Sequence, residues 1–305
     1  MSLPSELLAH RRLLWGLAYR MTGSAADADD VLQETLTKAV EHLPQNQDEP
    51  LRPWLVRVAM NAARDVLRRR KRRDYVGPWL PSPLDPDDQA DVAPATDARY
   101  EARESASYAF LAALEALSAQ QRAVLILRDV LDYSVVETAD ALALTEANVK
   151  TTHHRARKAM RAYDTSRRPV SADLATETRT ALERFLGAIL GGDAATAEAC
   201  LADGVRLISD GGGEFHAALR PVLGKDRVTR FFLGLARKNG PVGHLEVRSL
   251  NGLPAVIAEY DVPRAGWGRR FVLRCDVGAD GRIQEVHIVV APQKLTRVAE
   301  ITAAT

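Results

Sequence analysis

The chain has 305 residues, more than one compact core usually fills, and with 46% hydrophobic and 27% charged residues it reads as globular rather than disordered or fibrous. Its formal net charge of +1 hides two opposed blocks: Arg64, Arg68, Arg69, Arg70, Lys71, Arg72 and Arg73 crowd one site, and Asp85, Asp87, Asp88, Asp91, Asp97, Glu101 and Glu104 follow, a pattern that points to a polyanionic partner. Cys200 and Cys275 form neither a disulfide framework nor a metal-ligand spacing, and no signal peptide or apolar run of about 18 residues occurs, so the expectation is a reducing, cytoplasmic setting with no membrane partner.

Residues 5–73 read as helices. Ser24 followed by Asp27 resembles a capping box, after which Val31, Leu32, Leu36 and Val40 repeat at helical spacing. In the segment 51–74, Leu55, Val58, Ala59, Ala62 and Val66 make one stripe, for a core. Arg57, Asn61, Arg64 and Arg68 make another, for something polar.

From about 75 to 103 the pattern breaks. Five prolines and an acidic run without a sustained period describe a linker. Trp79 and Leu80 do not suit a solvated linker, so "PWLP" is expected to dock on a surface. Helices resume near 105 and run to about 163. Ser118 with Gln121 and Ser134 with Glu137 fit capping boxes, and Thr145 is an N-cap for a helix beginning at Glu146. The short helix 135–141, the tight "LALT" connection and the helix after it have the length pattern of a helix-turn-helix. The last helix has a buried stripe in Val149, Thr152, Ala156, Met160 and Tyr163, and a basic face in Lys150, His154, Arg157 and Arg161. Beyond 172 the period changes: one or two helices over about 173–201, a strand "VRLIS", the helix "GKDRVTRFFLGLARK", then "HLEVRSL", "PAVIAEYDV", "RRFVLRCDV" and "RIQEVHIVV". Helices followed by strands with short glycine-containing turns predict an α+β domain with a mostly antiparallel sheet.

Two basic helical faces separated by a flexible linker suit two contacts on one DNA. A basic helix end alone is often a solvated face that complements the helix dipole. The second helix of a helix-turn-helix, however, normally enters the major groove. Asn148, Lys150, Thr151 and His154 are the candidates for base edges, and Arg155, Arg157, Lys158 and Arg161 for phosphates. Arg64, Arg68 and Arg69 are phosphate candidates on the other face.

"DADDVLQETLTKAV", "RPWLVRVAMNAARDVLRRRKRR" and "LSAQQRAVLILRDVLDYSVVETADALALTEANVKTTHHRARKAM" resemble regions 2.2, 2.3 to 2.4 and 4 of a bacterial sigma factor of the extracytoplasmic-function (ECF) group, over roughly the first 163 residues. The resemblance implies two all-α sigma domains, residues 1–74 for core polymerase and the −10 element and 105–165 for the −35 element, joined by the linker 75–104. Asp29, Asp30, Gln33 and Glu34 match the segment that packs on the β′ clamp helices of core RNA polymerase, and a further contact with the β flap is implied. Trp54, Arg57 and Asn61 match the segment that opens the −10 element and holds a flipped base. The loop at 46–52 would form part of that pocket, where an unstacked base needs polar groups for its edge. Trp54 reads equally well as a core residue.

Residues 173–305 resemble the NTF2/SnoaL-like cone, and with the sigma regions they resemble the ECF41 group, which carries such an extension. Its motifs stand here as "PWLPSP", "DGGGEF", "NGLPA" and "APQKL", with Ala291, Gln293 and Glu214 departing from the pattern. In that group the extension acts in cis, and the sequence supports docking of Trp79, Leu80 and Pro81 near Asp210, Gly211, Gly212 and Gly213, where glycines permit close approach. A plain strand-connecting loop is the bland reading of "DGGG".

Two other classes stand beside this one. A ligand-responsive helix-turn-helix regulator could act without polymerase. A SnoaL-type cyclase or isomerase could use Asp210, His216, Asp261 or His287 as a base, although their spacing forms no recognisable constellation. The reading favoured by the sequence is a sigma factor with no catalytic residues, metal or cofactor of its own, promoter DNA and core polymerase as partners, and a C-terminal cavity whose small-molecule ligand, if any, is unspecified.

Overall fold

The computed structural model describes residues 3–42, 51–72, 75–86, 99–100, 102–239, 242–262 and 265–301. The chain divides into two compact units, Met1–Asp74 with Asp87–Arg167, and Tyr75–Pro86 with Arg168–Thr305.

In the helical unit, α1 (Leu3–Thr22), α2 (Ala25–Glu41) and α3 (Leu51–Arg72) bury one stripe each, among them Leu14, Ala18 and Met21, Ala28, Val31 and Leu32, and Leu55, Ala59 and Met60. Gly23 takes the left-handed conformation between α1 and α2, with φ 64°, and Ser24 accepts a hydrogen bond from the Asp27 N–H at 3.2 Å. The Asp27 carboxylate serves a different purpose from the box expected of it: it receives Arg70 Nη2 at 2.8 Å. The α2 stripe ends earlier than the spacing suggests, since Val40 is 67% exposed.

The second helical stretch is α4 (Ala102–Ser105), α5 (Tyr108–Leu114), α6 (Ala119–Asp129), α7 (Val135–Leu142), α8 (Glu146–Ala159) and α9 (Arg161–Ser166). Ser118 and Ser134 form full capping boxes with Gln121 and Glu137, and Thr145 caps α8. Ala143 turns the chain between α7 and α8 at φ 52°, and the Leu144 N–H returns to the Ala139 carbonyl at 2.9 Å.

One expectation needs correction. Tyr100, assigned by sequence to the linker, is fully buried in this unit; its ring lies 4.8 Å from Phe110 and its hydroxyl donates to Asp164 at 2.9 Å. The two sigma-like stretches also touch within this unit. Buried Arg20 of α1 donates to Ser105 Oγ at 2.7 and 2.9 Å, and buried Arg122 of α6 donates to the Met21 carbonyl at 2.9 Å. Those carbonyls and hydroxyls satisfy guanidinium donors that burial would otherwise strand.

In the α+β unit, α10 (Ala172–Leu190), α11 (Ala194–Ala199) and α12 (Lys225–Asn239) lie on one face of a six-stranded sheet. Its strands are β1 (Leu201–Asp210), β2 (Val222–Leu223), β3 (His244–Leu250), β4 (Leu253–Glu259), β5 (Arg270–Val277) and β6 (Ile283–Val289), in the order β2-β1-β6-β5-β4-β3. Only β1 and β6 run parallel; the other neighbours are antiparallel. The pleat then sorts the residues. Ser209, Ile288, Leu273 and Val256 form a cross-strand row toward the helices, and Asp210, Val289, Val272 and Ile257 form the adjacent row on the opposite face.

Candidate nucleic-acid interface and linker-docking site

α8 is held against α6 and α7 by Val149, Thr152 and Ala156, which leaves Asn148, Lys150, Thr151, His154, Arg155, Arg157 and Lys158 exposed; Arg161 is exposed on α9. The start of α8 is therefore the free end, as entry into a groove requires. Asn148 Oδ1 accepts from Gln120 Nε2 at 3.3 Å and from Thr152 Oγ1 at 2.9 Å, so its amide N–H groups are the part left to read an acceptor. The Thr151 hydroxyl donates to the Ala147 carbonyl at 2.9 Å, and Lys150 stands 3.7 Å from Glu146.

Arg157 differs from its neighbours. Its guanidinium makes a two-point contact with buried Asp129, at 2.6 and 3.1 Å, and His153 Nε2 lies 2.9 Å from the same carboxylate. Burial alone would push the Asp129 carboxyl up, but hydrogen bonds from His153 and Arg157 outweigh it and hold the group below its usual range. Arg157 ties α8 to the end of α6, a positioning task that the spacing did not reveal.

On α3, Arg57, Asn61, Arg68 and Arg69 are exposed and Trp54 is half-buried. Arg64 corrects the expected polar stripe: it is buried, and its Nη1 reaches the Leu142 carbonyl at 3.4 Å. That carbonyl is among those a helix end leaves unpaired, so a cation from α3 serves the C-terminus of α7. Arg70 likewise bonds the Thr22 carbonyl at 2.7 Å, in addition to Asp27. Arg57 lines a cleft shared with Arg52, Tyr133, Glu137 and Asp140. The rest of the expected base pocket, residues 46–50, lies outside the described residues.

Of the candidate polymerase contacts on α2, Asp30 and Gln33 are exposed, Glu34 pairs with Lys38 at 2.6 Å, and Asp29 accepts from the Trp15 indole at 2.9 Å.

In the α+β unit, the strap 75–86 converges on Asp210 at the end of β1. This carboxylate is fully buried; Oδ1 accepts from the Tyr75 hydroxyl at 2.5 Å and the Gly212 N–H at 2.9 Å, and Oδ2 from the Leu80 N–H at 2.7 Å. Lys294, from a 3-10 turn at Pro292–Lys294, completes the set: its ammonium bonds Asp210 Oδ2, donates to the Leu80 carbonyl at 2.6 Å, and sits 3.9 Å from the centre of the Trp79 ring. A buried ion pair is tolerable only when its remaining bonding capacity is used, and here it is.

Gly212 has φ 67°, and a Cβ there would lie 2.6 Å from Gln293 Nε2; at Gly211 it would lie 2.3 Å from the Phe215 carbonyl oxygen. Gly213 is exposed beside Val76, while Leu80 and Pro81 are buried. Farther along, Asn251, at φ 50°, exchanges two backbone-directed bonds with Leu84, both 2.9 Å, and Asp85 accepts from the Ala299 N–H at 2.7 Å and faces Arg248 at 3.4 Å. Sequence reasoning missed Tyr75, Leu84, Asn251 and Lys294 as partners of the strap. The signal for Asn251 and Lys294 was present in "NGLPA" and "APQKL", but no spacing says which distant segment a motif meets.

The family model for sigma-70 region 2 matches residues 7–73, and that for sigma-70 region 4 matches residues 107–160. The ECF RNA polymerase sigma factor SigJ of Mycobacterium tuberculosis (strain ATCC 25618 / H37Rv) is 34% identical over 241 residues, which span 78% of this chain and 74% of SigJ. The chain belongs to the ECF RNA polymerase sigma factors. The crystal structure of M. tuberculosis SigJ matches it with a TM-score of 0.73 at 29% identity, covering 96% of this chain and 98% of that one. The probable ECF RNA polymerase sigma factor SigI of the same strain is 28% identical over 293 residues, 94% of this chain and 92% of SigI. The α+β unit of this sigma factor is a SnoaL-like domain.

The side chains that a cyclase or isomerase reading would recruit do not converge in this sigma factor. Asp210 is occupied by the strap, on the sheet face opposite the cavity that His216 lines. Asp261 is an exposed partner of His244 at 3.7 Å. His287 belongs to a charged cluster with Asp276 and Glu285, whose ligand atoms lie within 4.8 Å of one another. That set does not fit a metal ion, because arginines fill it: Arg274 bonds Asp276 at 2.6 Å and lies 3.3 Å from His287 Nδ1, and Arg206 bonds Glu285. No described helix is long and apolar enough to cross a membrane.

Proposed function

We propose that this sigma factor contacts promoter DNA through two elements and is regulated in cis by its SnoaL-like domain. α3 carries the −10 contacts with Trp54, Arg57, Asn61, Arg68 and Arg69. The start of α8 reads the −35 element with Asn148, Lys150, Thr151 and His154, while Arg155, Lys158 and Arg161 take phosphates. Asp30, Gln33 and Glu34 on α2 meet the β′ clamp helices of core polymerase, and the region 4 helices meet the β flap. The protein works in the cytoplasm and carries out no chemistry of its own.

The observation that carries the regulatory reading is the convergence of "PWLP", "DGGG" and "APQKL" on one buried carboxylate, Asp210, with "NGLPA" clamping the same strap at Leu84. The strap is the chain segment between the two sigma regions, so its docking limits the positions those regions can take. Arg64 adds a condition, since it is available to a phosphate only after leaving the Leu142 carbonyl.

The test is promoter-dependent transcription with purified core polymerase and the full-length chain, against a Trp79→Ala variant. Removing the indole takes one wall from the Lys294 ammonium while leaving every DNA contact in place. Altered transcript yield or promoter affinity with unchanged core binding supports regulation through the strap; unchanged transcription in a variant whose strap is demonstrably released refutes it.

A further inference from the structure

Between the sheet and its covering helices lies a cavity of about 140 Å³, with Leu186, Phe231, Phe232, Tyr260, Trp267 and Phe271 in its wall. We propose that it binds a neutral single-ring aromatic molecule bearing one hydroxyl group, and that occupancy is read by the strap through the segment 209–218. The second half of this proposal rests on the regulatory reading of the strap given above.

Size fixes the first element of the class. An apolar cavity of roughly 150 Å³ accommodates one benzene-sized ring, whereas sites for drug-sized ligands run from about 300 to 1,000 Å³. Charge fixes the second. Among the described residues the lining contains no Asp, Glu, Lys or Arg, so an ionised ligand would be desolvated without a partner there. The aromatic side chains supply ring edges and faces, with Phe231 and Phe232 5.8 Å apart and nearly perpendicular.

The polar group is fixed by Ser209 and His216. Ser209 Oγ accepts the Ala218 N–H at 2.7 Å, which leaves its hydroxyl proton for another acceptor. The His216 ring stands edge-to-face with Trp267 at 5.2 Å, at the same cavity. A ligand hydroxyl, which both accepts and donates, matches the polar groups that these two residues bring to the cavity wall.

The route to the strap is one residue thick. Ser209 belongs to the cavity row and Asp210 to the opposite row, so consecutive residues of β1 face the ligand site and the strap hub. The loop then returns. Ser209 and Ala217 line both the large cavity and a smaller hollow that Val76 and Gly77 of the strap also line. A shift of Ser209 or Ala217 on ligand entry cannot leave the strap seat unchanged, because packed interiors transmit displacement.

The experiment titrates the full-length chain with 4-fluorophenol, observed by fluorine NMR, with fluorobenzene as the probe lacking a hydroxyl, while the Trp79 indole N–H resonance reports the strap. Saturable binding is expected, weakened about fivefold for fluorobenzene and for His216→Ala, the scale of one neutral hydrogen bond. Ala258→Phe should fill the cavity and abolish binding; because that variant tests packing, the exposed His216 variant provides an independent reading. No saturable binding of 4-fluorophenol, or equal binding of both probes, overturns the ligand class. Saturable binding without movement of Trp79 overturns the coupling alone, and leaves strap regulation to be judged by the Trp79→Ala transcription result.

Discussion

Replacing Asp210 by Asn keeps the shape of the side chain and removes its charge. The native carboxylate accepts from Tyr75, Gly212, Leu80 and Lys294. An amide has one acceptor oxygen, so the substituted group turns donors toward donors, and the Lys294 ammonium loses its carboxylate while the Leu80 carbonyl and the faces of Trp79 and Tyr75 stay beside it. Leaving a buried charge without its partner costs about 3–5 kcal/mol. Lys294→Met is expected to cost less, because the carboxylate retains three donors that stabilise its charged form. The double variant should recover part of the loss, with a coupling of at least ~1 kcal/mol. Because a chain of two units has no single unfolding free energy, the assay is native-state hydrogen exchange at the Leu84 amide, which bonds Asn251 and is not itself altered. A loss of 3 kcal/mol corresponds to exchange about a hundredfold faster. Native exchange at Leu84 in a folded Asp210→Asn variant, or strictly additive single effects, would refute the argument that the ion pair holds the strap.

Glu285 offers a pH test: burial pushes its carboxyl up, but His287 and Arg206 outweigh that and hold it at about 2, against an ordinary 4.5. A folded pKa below the unfolded one gives stabilisation that is complete above about 4.5 and lost as the pH falls toward 2, so acid unfolding of Glu285→Gln should lack that part of the limb, a difference of at most ~3 kcal/mol before solvent screening. Arg155→Ala should weaken promoter binding and lower its salt-dependence slope by about 1. Arg157→Ala should in addition destabilise the α6–α8 packing by ~1–3 kcal/mol, because Asp129 loses its two-point partner; equal thermal stability of the two variants would count against that division. Gly212→Ala should release the strap, since the left-handed conformation alone costs ~1–2 kcal/mol before the contact with Gln293, and Leu84 exchange reads the result.

Local chemistry made the secondary structure legible. Ser118, Ser134 and Thr145 announced helix starts because a cap is a contact between residues three apart, and α7 and α8 begin where those caps place them. The period-two strands appear over the segments where alternation was strongest. Less visible were β2, two residues long, and the breaks at Ser107 and Met160 that divide the second helical stretch. Tyr100 was misplaced because the acidic, proline-containing run beside it has no period, and nothing local says that Phe110 and Tyr163 enclose the ring.

The arginines show why a site is harder to read than a fold. In the segment 51–74 they form one block, and composition gives each the same expectation of a phosphate. Folded, they divide by what lies opposite. Arg57, Arg68 and Arg69 are exposed, whereas Arg64 meets the end of α7 and Arg70 meets Thr22 and Asp27. The same division recurs on α8, where Arg155 is open and Arg157 is held by Asp129. A guanidinium satisfies a helix C-terminus, a carboxylate or a phosphate with the same planar donors, so only the tertiary partner decides its role. Any promoter complex that uses Arg64 must therefore exchange one acceptor for another, the Leu142 carbonyl for a phosphate oxygen. On the proposed −10 role of α3, that exchange would tie DNA engagement to release of the Arg64 contact with the end of α7, the first helix of the helix-turn-helix.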